Sequence, residues 1–479
     1  MIMNKKTAII LVIIFFLGVL FQTAVIIDYH SEKINFGFYP ISNETGIYYK
    51  SLDVSISDEF FNPYDVVVRF DGRPFILNRN ESLFMNLWND CKTIAAGLLT
   101  EGITESSELW ENLCELPGIT ISMGSYFPVE YIEYMLNIIE PGVSDISIDK
   151  IMLIPGEETM NVYFHTEDMV YEATGLAPYG WYTYDVFNNF TDLISKDPSY
   201  SNSYYEDFYK IHDKSVWENH YEPDILLSSD LSSHYISWII AGLPDIISRY
   251  SDLTAGGVSS GETPAMTNAA ELIKSRLLVK SNNLYTTHFD STGNLFFTNQ
   301  FNMYAIDSNG WINYRYTPGT EGDEKGNIGQ AFINAYETLN IVKGLESEYG
   351  GQMFVSRIEE NEDSYTFSFD YRYESMPIAL KDENHSAVIT ATGTRTIEAK
   401  VLPLEFRRMS DETRMEIPYI FNWSSNRWLN GISDPNTTEA YNIYVGYGTF
   451  SGSQNLLEPV WIYEKGTGEK EIYSLQRGN

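Results

Sequence analysis

Residues Thr7 to Ile27 run for twenty-one positions without one charged side chain. At helical rise that length crosses a ~30 Å hydrocarbon core, where a helix pairs every backbone group internally. Lys5 and Lys6 precede the run, and Asp28, His30 and Glu32 follow it. The positive-inside rule then keeps the short tail in the cytoplasm and sends everything from Asp28 onward outside. A cleaved signal peptide is the competing reading, but the run exceeds the usual ~7–15-residue apolar core and no small-x-small cleavage pattern comes before Asp28. The segment also has no cysteine to acylate. The expectation is a single-pass protein of the cell membrane: residues 1–6 cytoplasmic, 7–27 transmembrane, the rest extracytoplasmic.

Charge supplies the next constraint. The chain carries a formal net charge of −35, and the exported part, which lacks Lys5 and Lys6, is more acidic still. Such a surface repels phosphate backbones, which argues against nucleic acid as a partner. The acids are scattered rather than blocked, and a hydrophobic content of 43% with 15% aromatics is enough to fill folded cores. Cys91 and Cys114 stand 23 positions apart. In an exported domain a disulfide between them is permitted, and it would contribute about 3 kcal/mol in the chain-entropy model. Two separate buried thiols fit the sequence equally well.

Periodicity organises the exported part. Val66-Val67-Val68 opens it, and Glu81 to Leu99 places Phe84, Leu87, Trp88, Cys91, Ala95, Leu98 and Leu99 on one helical face, stopped by Glu101-Gly102. Gly118 to Met123 alternates as a strand, and Pro128 to Ile139 reads as a second helix. Ile146 to Pro155 and Thr159 to His165 read as a hairpin around Gly156. A polar crossing spans Tyr182 to Asp230, followed by helical patterns at Ser233 to Ser248 and Met266 to Leu278. Three strands are expected at Asn283 to Phe289, Leu295 to Tyr304 and Trp311 to Tyr316, joined by turns rich in Asp, Asn and Gly.

Asn327 should cap a helix striped with Ile328, Phe332, Ala335, Leu339 and Val342. Strands follow at Met353 to Glu359 and Tyr365 to Tyr373, the latter with five aromatics on one face and Thr366, Ser368, Asp370 and Arg372 on the other. Further strands fit Ser386 to Glu398, Tyr441 to Thr449 and Pro459 to Tyr463. The predicted class is α+β, with a transmembrane helix followed by several modules of antiparallel sheet plus helix. The expected domains are 28–180, 181–318 ending in a β-meander, and 319–479.

Reactive signatures are sparse. The chain has no H-E-x-x-H and no Walker-type loop. Ser147 and Lys150 form an S-x-x-K, but on a strand those positions face opposite ways. His212 and His220 sit in the polar crossing and read as a surface cluster. Asp307-Ser308-Asn309-Gly310 begins like a calcium loop, yet its twelfth position is Pro318, and counting from Asp290 reaches Phe301. An EF-hand needs a bidentate Glu there, so both read as hairpin turns. We expect no catalytic residue, cofactor or resident metal.

The order of pieces carries more than any one of them. A basic tail and membrane helix lead to a strand-helix-strand-helix unit (66–139), a hairpin at Ile151 to His165, three strands over Leu284 to Tyr316, a helix and strands over 327–373, and a closing strand Leu456-Leu457-Glu458-Pro459-Val460-Trp461. This order resembles the YycH family, membrane-anchored extracytoplasmic regulators of the WalK (YycG) sensor histidine kinase. The C-terminal part resembles the related YycI. The resemblance implies a non-enzymatic role in two-component signalling and cell-wall homeostasis, with a WalK-type kinase and a YycI-like single-pass protein as partners. It supplies no catalytic residues, and the tail is too short to suggest a cytoplasmic contact. Gly18 and Gln22 share one face of the membrane helix with Thr23 beside them, where a small residue and an amide favour close helix-helix contact. The alternative is an extracytoplasmic protein that binds or hydrolyses wall glycan or peptide.

Overall fold

A computed structural model describes residues 63–136, 146–183, 235–317, 324–416 and 440–474, with short breaks inside those ranges. Thr7 to Ile27 with Gly18, Gln22 and Thr23, nearly all of the polar crossing with His212 and His220, and the loop at 255–261 lie outside the described residues. Among the described residues no helix is long and apolar enough to cross a membrane.

Among the described residues the fold is α+β, built on sheets that are antiparallel but for one pairing in the larger sheet, with few helices. Its first sheet contains β1 (Asp65–Phe70), β2 (Arg73–Ile76), β3 (Ile103–Glu105), β4 (Gly118–Pro128), β5 (Ser147–Pro155), β6 (Thr159–His165), β7 (Val170–Ala173) and β8 (Ala177–Pro178). The order is β2-β1-β4-β5-β6-β7-β3, with β8 beside β6. Among the described residues it is accompanied by α1 (Ser82–Glu101), α2 (Trp110–Leu113) and α3 (Val129–Met135).

All seven apolar residues assigned to the α1 stripe are buried. The helix ends as its sequence requires, with Gly102 at φ 101° and its N–H on the Leu98 carbonyl. β5 is buried at every position from Ile148 to Ile154, so both of its faces are covered. On one side α2 seats Trp110 and Leu113 over Met152, Ile154 and Val170. α3 is shorter than its pattern suggested: it stops at Met135 with Leu136 as C-cap, and 137–145 lies outside the described residues.

The second sheet is larger. It holds β10 (Ile239–Gly242), the meander β11 (Thr286–Phe289), β12 (Leu295–Thr298), β13 (Asn302–Ile306) and β14 (Ile312–Tyr316), then β15 (Gln352–Glu360), β16 (Tyr365–Tyr373), β17 (Met376–Ala379), β18 (Ala387–Ala391), β19 (Thr396–Val401) and β20 (Glu405–Arg408). β22 (Ala440–Gly448), β23 (Leu456–Lys465) and β24 (Lys470–Ser474) complete it, while β9 (Tyr235–Ser237) and β21 (Arg414–Glu416) form a separate pair. The path runs β11-β12-β13-β14-β19-β18-β16-β17-β22-β23-β10-β20, with β15 on β16 and β24 on β23. The helices here are α4 (Asp245–Thr254), α5 (Pro264–Leu277) and α6 (Ile328–Lys343).

Three expectations in this half are corrected, and the first is Ser386 to Glu398: it is not one strand but the hairpin of β18 and β19, turned where the Thr392 N–H meets the Arg395 carbonyl. Ser233 to Ser248 is not one helix: Ile239, beta-branched and buried, lies in β10, and α4 begins only after Pro244, whose carbonyl accepts from Ile247 and Ser248. Leu295 to Tyr304 is not one strand either. The Asn299 side chain accepts the Phe301 and Asn302 N–H groups at 2.8 and 2.7 Å, and this local turn splits the run into β12 and β13. The other meander turns behave as read. Asp290 accepts from Thr292 and Asn294, Asp307 accepts from Asn309 and Trp311, and Gly293 and Gly310 take the positive φ.

α6 ties the two sheets together. Asn327 caps it, its side chain accepting the Gln330 N–H at 2.8 Å, and the whole predicted stripe is buried. Phe332 meets Phe367 of β16 edge-on at 5.5 Å and, on its other side, Tyr131 of α3 at 5.3 Å. Tyr131 in turn lies 5.6 Å from Phe127 of β4. Next to this aromatic chain Gly329 faces Tyr134, and a Cβ at Gly329 would overlap the Tyr134 ring. Alanine is the better helix former by about 1 kcal/mol. Gly329→Ala should nonetheless lower stability by about 1–3 kcal/mol through overpacking, read as a drop in the denaturation midpoint. An unchanged or raised midpoint would mean that this seam does not constrain the two helices.

Candidate functional site

Charged side chains in a folded interior need a reason, and two histidine-aspartate groups stand out among the described residues. In the first sheet Asp149 is wholly buried on β5, and His165 of β6 places Nδ1 2.6 Å from its Oδ1. Lys150 Nζ lies 3.6 Å from the other carboxylate oxygen, and the Trp110 ring packs 4.7 Å from the imidazole. With the carboxylate on Nδ1, the imidazole is held in one orientation by β-sheet register. Lys150 belongs to the S-x-x-K pair, but Ser147 is exposed while Lys150 is buried with Asp149, so the two side chains do not converge.

The second group lies under β16. Asp370, 2% exposed, receives Lys470 Nζ from β24 on Oδ2 and the Ser386 N–H on Oδ1 at 3.3 Å. His385 Nδ1 approaches Oδ2 at 3.4 Å, and Ser356 Oγ of β15 lies 3.1 Å from that same nitrogen. Lys470 also donates to the Asn384 carbonyl at 3.4 Å. Burial alone would push the Asp370 carboxyl up, but the Lys470 ammonium and the His385 hydrogen bond more than offset it and hold the group well below the ordinary carboxylate range.

Serine, histidine and aspartate are therefore together, yet the geometry is not that of a nucleophilic relay. A relay needs the serine on one ring nitrogen and the carboxylate on the other, so that a proton can pass across the imidazole. Here both contact Nδ1. The cluster instead connects four segments: β15, β16, the loop before β18, and β24.

The residues singled out from sequence are dispersed. Gly18, Gln22 and Thr23 lie outside the described residues. Cys91 is buried within α1, its thiol pushed up by burial and by Asp90; Cys114 follows α2 and packs on the Trp110 cluster; no disulfide joins them. Asp290 and Asp307 direct their carboxylates to turn N–H groups. The Asp370 cluster was missed because alternation put Asp370 on the polar face of its strand, and polar faces are ordinarily solvated. One signal was available: aspartate is disfavoured in strand interiors, and here it stands in the middle of the most regular strand of the chain.

Removing one partner of a buried pair leaves an uncompensated charge at a cost of about 3–5 kcal/mol. Lys470→Met should therefore destabilise by that amount, and Asp370→Asn in the same background should recover part of it, as measured by equilibrium unfolding. The Asp370 carboxyl titrates lower folded than unfolded, so its contribution is present above the ordinary value near 3.8 and is lost as pH falls below it. The stability gap between the unaltered chain and Asp370→Asn should close as the pH is lowered below about 4.

No family model matches the chain, and no curated protein matches it. Among solved structures it is similar to the crystal structure of YycH from Bacillus subtilis, with a TM-score of 0.48 and 10% sequence identity, over 89% of this chain and 98% of that chain. At that identity the likeness is one of shape, not of individual residues.

Proposed function

We propose that the chain is a single-pass regulatory protein without a reaction of its own, which modulates a WalK-type sensor histidine kinase through its membrane helix and its extracytoplasmic sheets, alongside a YycI-like single-pass protein. The observation that carries the reading is the order of elements. The strand-helix-strand-helix unit appears as β1, α1, β4 and α3, and the hairpin as β5 and β6. The meander is β11 to β14, and α6 with β15 and β16 follows. The closing strand is β23, which contains Glu458-Pro459-Val460. It is the order on which the family resemblance rests.

The chemistry of the buried clusters supports the same reading. The one serine-histidine-aspartate grouping seen among the described residues joins strands through a single ring nitrogen, an arrangement that suits cohesion rather than turnover. A regulator of this kind needs two things: a rigid exported body and a helix that can pack on another helix. The joined sheets supply the body, and Thr7 to Ile27 with Gly18, Gln22 and Thr23 is the proposed contact.

The test exchanges Thr7 to Ile27 for an unrelated apolar helix of equal length in the full chain, followed by co-purification with the kinase from membranes. Association should fall while the exported part keeps its protease resistance. Unchanged association would remove the helix contact from the proposal. Gln22→Leu should weaken association about threefold to twentyfold, the range expected from an interhelical hydrogen bond worth ~0.6–1.7 kcal/mol.

A further inference from the structure

Tyr371 of β16 is wholly buried, and its hydroxyl has three neighbours within hydrogen-bond distance. Glu346 Oε1, in the turn after α6, lies at 2.7 Å, the Leu402 carbonyl at 3.1 Å, and the Leu404 N–H at 2.9 Å. A phenol owns one proton and two lone pairs. The Leu404 N–H must donate, so it occupies one lone pair. Glu346 and the Leu402 carbonyl cannot both receive the single Tyr371 proton. With Glu346 ionised, one of the two contacts is an oxygen facing an oxygen. With Glu346 protonated, the carboxylic acid donates to the second lone pair and Tyr371 donates to Leu402, so all three contacts become hydrogen bonds.

The surroundings favour the protonated form. Glu346 folds over Gly350, and its carboxylate shares the pocket with Glu405 of β20, which accepts the Ser347 N–H at 2.7 Å. The charged and titratable groups facing it are Lys343 from the last turn of α6, Tyr371 from β16, and Glu405 from β20. Arg407 lies 3.8 Å from the far oxygen of Glu405. Burial, with a smaller contribution from Glu405, pushes the Glu346 carboxyl up to about 7 against the opposing pull of Tyr371, Lys343 and the Leu404 N–H. Burial likewise keeps Tyr371 in its hydroxyl form throughout the neutral range.

We propose that Glu346 is a proton-operated clamp on the 402–406 segment. Protonated, it completes a donor chain from Glu346 through Tyr371 to the Leu402 carbonyl and pins the segment to the turn after α6. Ionised, it gives up its proton to solvent and takes the Tyr371 proton in a hydrogen bond, which breaks the bond to Leu402 and sets two carboxylates against each other. The segment so released is the link from β19 to β20. It is also attached through the Leu402 N–H to the Ser386 carbonyl, the Gly351 N–H to the Leu404 carbonyl, the Phe406 N–H to the Tyr349 carbonyl and the Ser347 N–H to the Glu405 carboxylate, so what the clamp controls is the Leu402 carbonyl contact. β20 pairs with β10 at the far end of the large sheet, so a proton taken up or lost at this half-buried site is felt by an edge of the sheet.

The test is hydrogen exchange of the full chain in detergent at pH 5.5 to 8.5, followed at the peptide covering 399–408 and expressed as a ratio to Glu346→Gln at each pH, which cancels the intrinsic pH dependence of exchange. The Gln amide can donate to Tyr371 at every pH and stands in for the closed clamp. The ratio should be near one at pH 5.5 and rise at least threefold by pH 8, with a midpoint near 7. Glu405→Gln, which keeps an acceptor for Ser347 and removes the like charge, should move that midpoint to lower pH. In the same series the thermal midpoint of the unaltered chain should fall relative to Glu346→Gln as pH rises through 7, because a group whose folded value is raised loses its contribution in that direction. A ratio that stays flat across the pH range, or a midpoint unmoved by Glu405→Gln, would overturn the clamp.

Discussion

Phe332 is the residue through which two sheets come to share one core. From α6 it reaches Phe367 and Phe369 on β16 and, in the other direction, Tyr131 on α3, which rests on Phe127 of β4. Aromatic pairs of this kind add about 0.5–1.5 kcal/mol each beyond the area they bury. The contribution to architecture is larger than the sum, since the large sheet reaches the first through this helix and through β15 running beside β4. Gly329 is the permissive element: its missing side chain lets the Tyr134 ring lie against α6.

The other face of β16 is organised by charge. Its aromatic face lies under α6, so the opposite side would be expected to meet water, yet Ser368 and Asp370 are both buried there. Lys470 arrives from β24 across 100 positions of sequence to neutralise Asp370. This makes the far C-terminal strand a structural partner of the centre of the sheet. A hydrophobic pair could fill the same volume, but it would not select which strand lies where. The ion pair with its histidine and backbone donors specifies one register, since a one-residue slip would move Asp370 to the α6 side.

How much of this could be read in advance depends on how local the cause is. The Tyr365 to Tyr373 alternation, the Asn327 cap, the α1 stripe and the Asp-Asn-Gly turns are each decided within a few residues, and they appear where the sequence places them. Failures came where a local signal was outvoted. Ile239 and its neighbours have a helix-compatible pattern, but pairing to β20 and β23 wins. The strands β20 and β24 carry little apolar signal of their own and owe their place to partners. Long-range chemistry was the least legible: nothing near Asp370 announces Lys470, and nothing near Glu346 announces Tyr371. The family resemblance rests on element order, and order is a sum of local signals.

Two acids at the same strand meet opposite fates, and the comparison shows what decides the protonation of a buried carboxylate. Asp370 and Tyr371 are adjacent on β16 and point to opposite faces. Asp370 is the more deeply buried, so desolvation alone would make it the neutral one, yet an ammonium and a histidine sit on it and it stays ionised. Glu346, in contact with Tyr371, is raised by burial, and the hydrogen bonds of Tyr371 and Leu404 with the charge of Lys343 only partly offset it. Neighbours outweigh burial at Asp370, whereas at Glu346 burial prevails. The chain thus holds one carboxylate whose charge is fixed across the physiological range and another poised to change within it, separated by the thickness of a single strand.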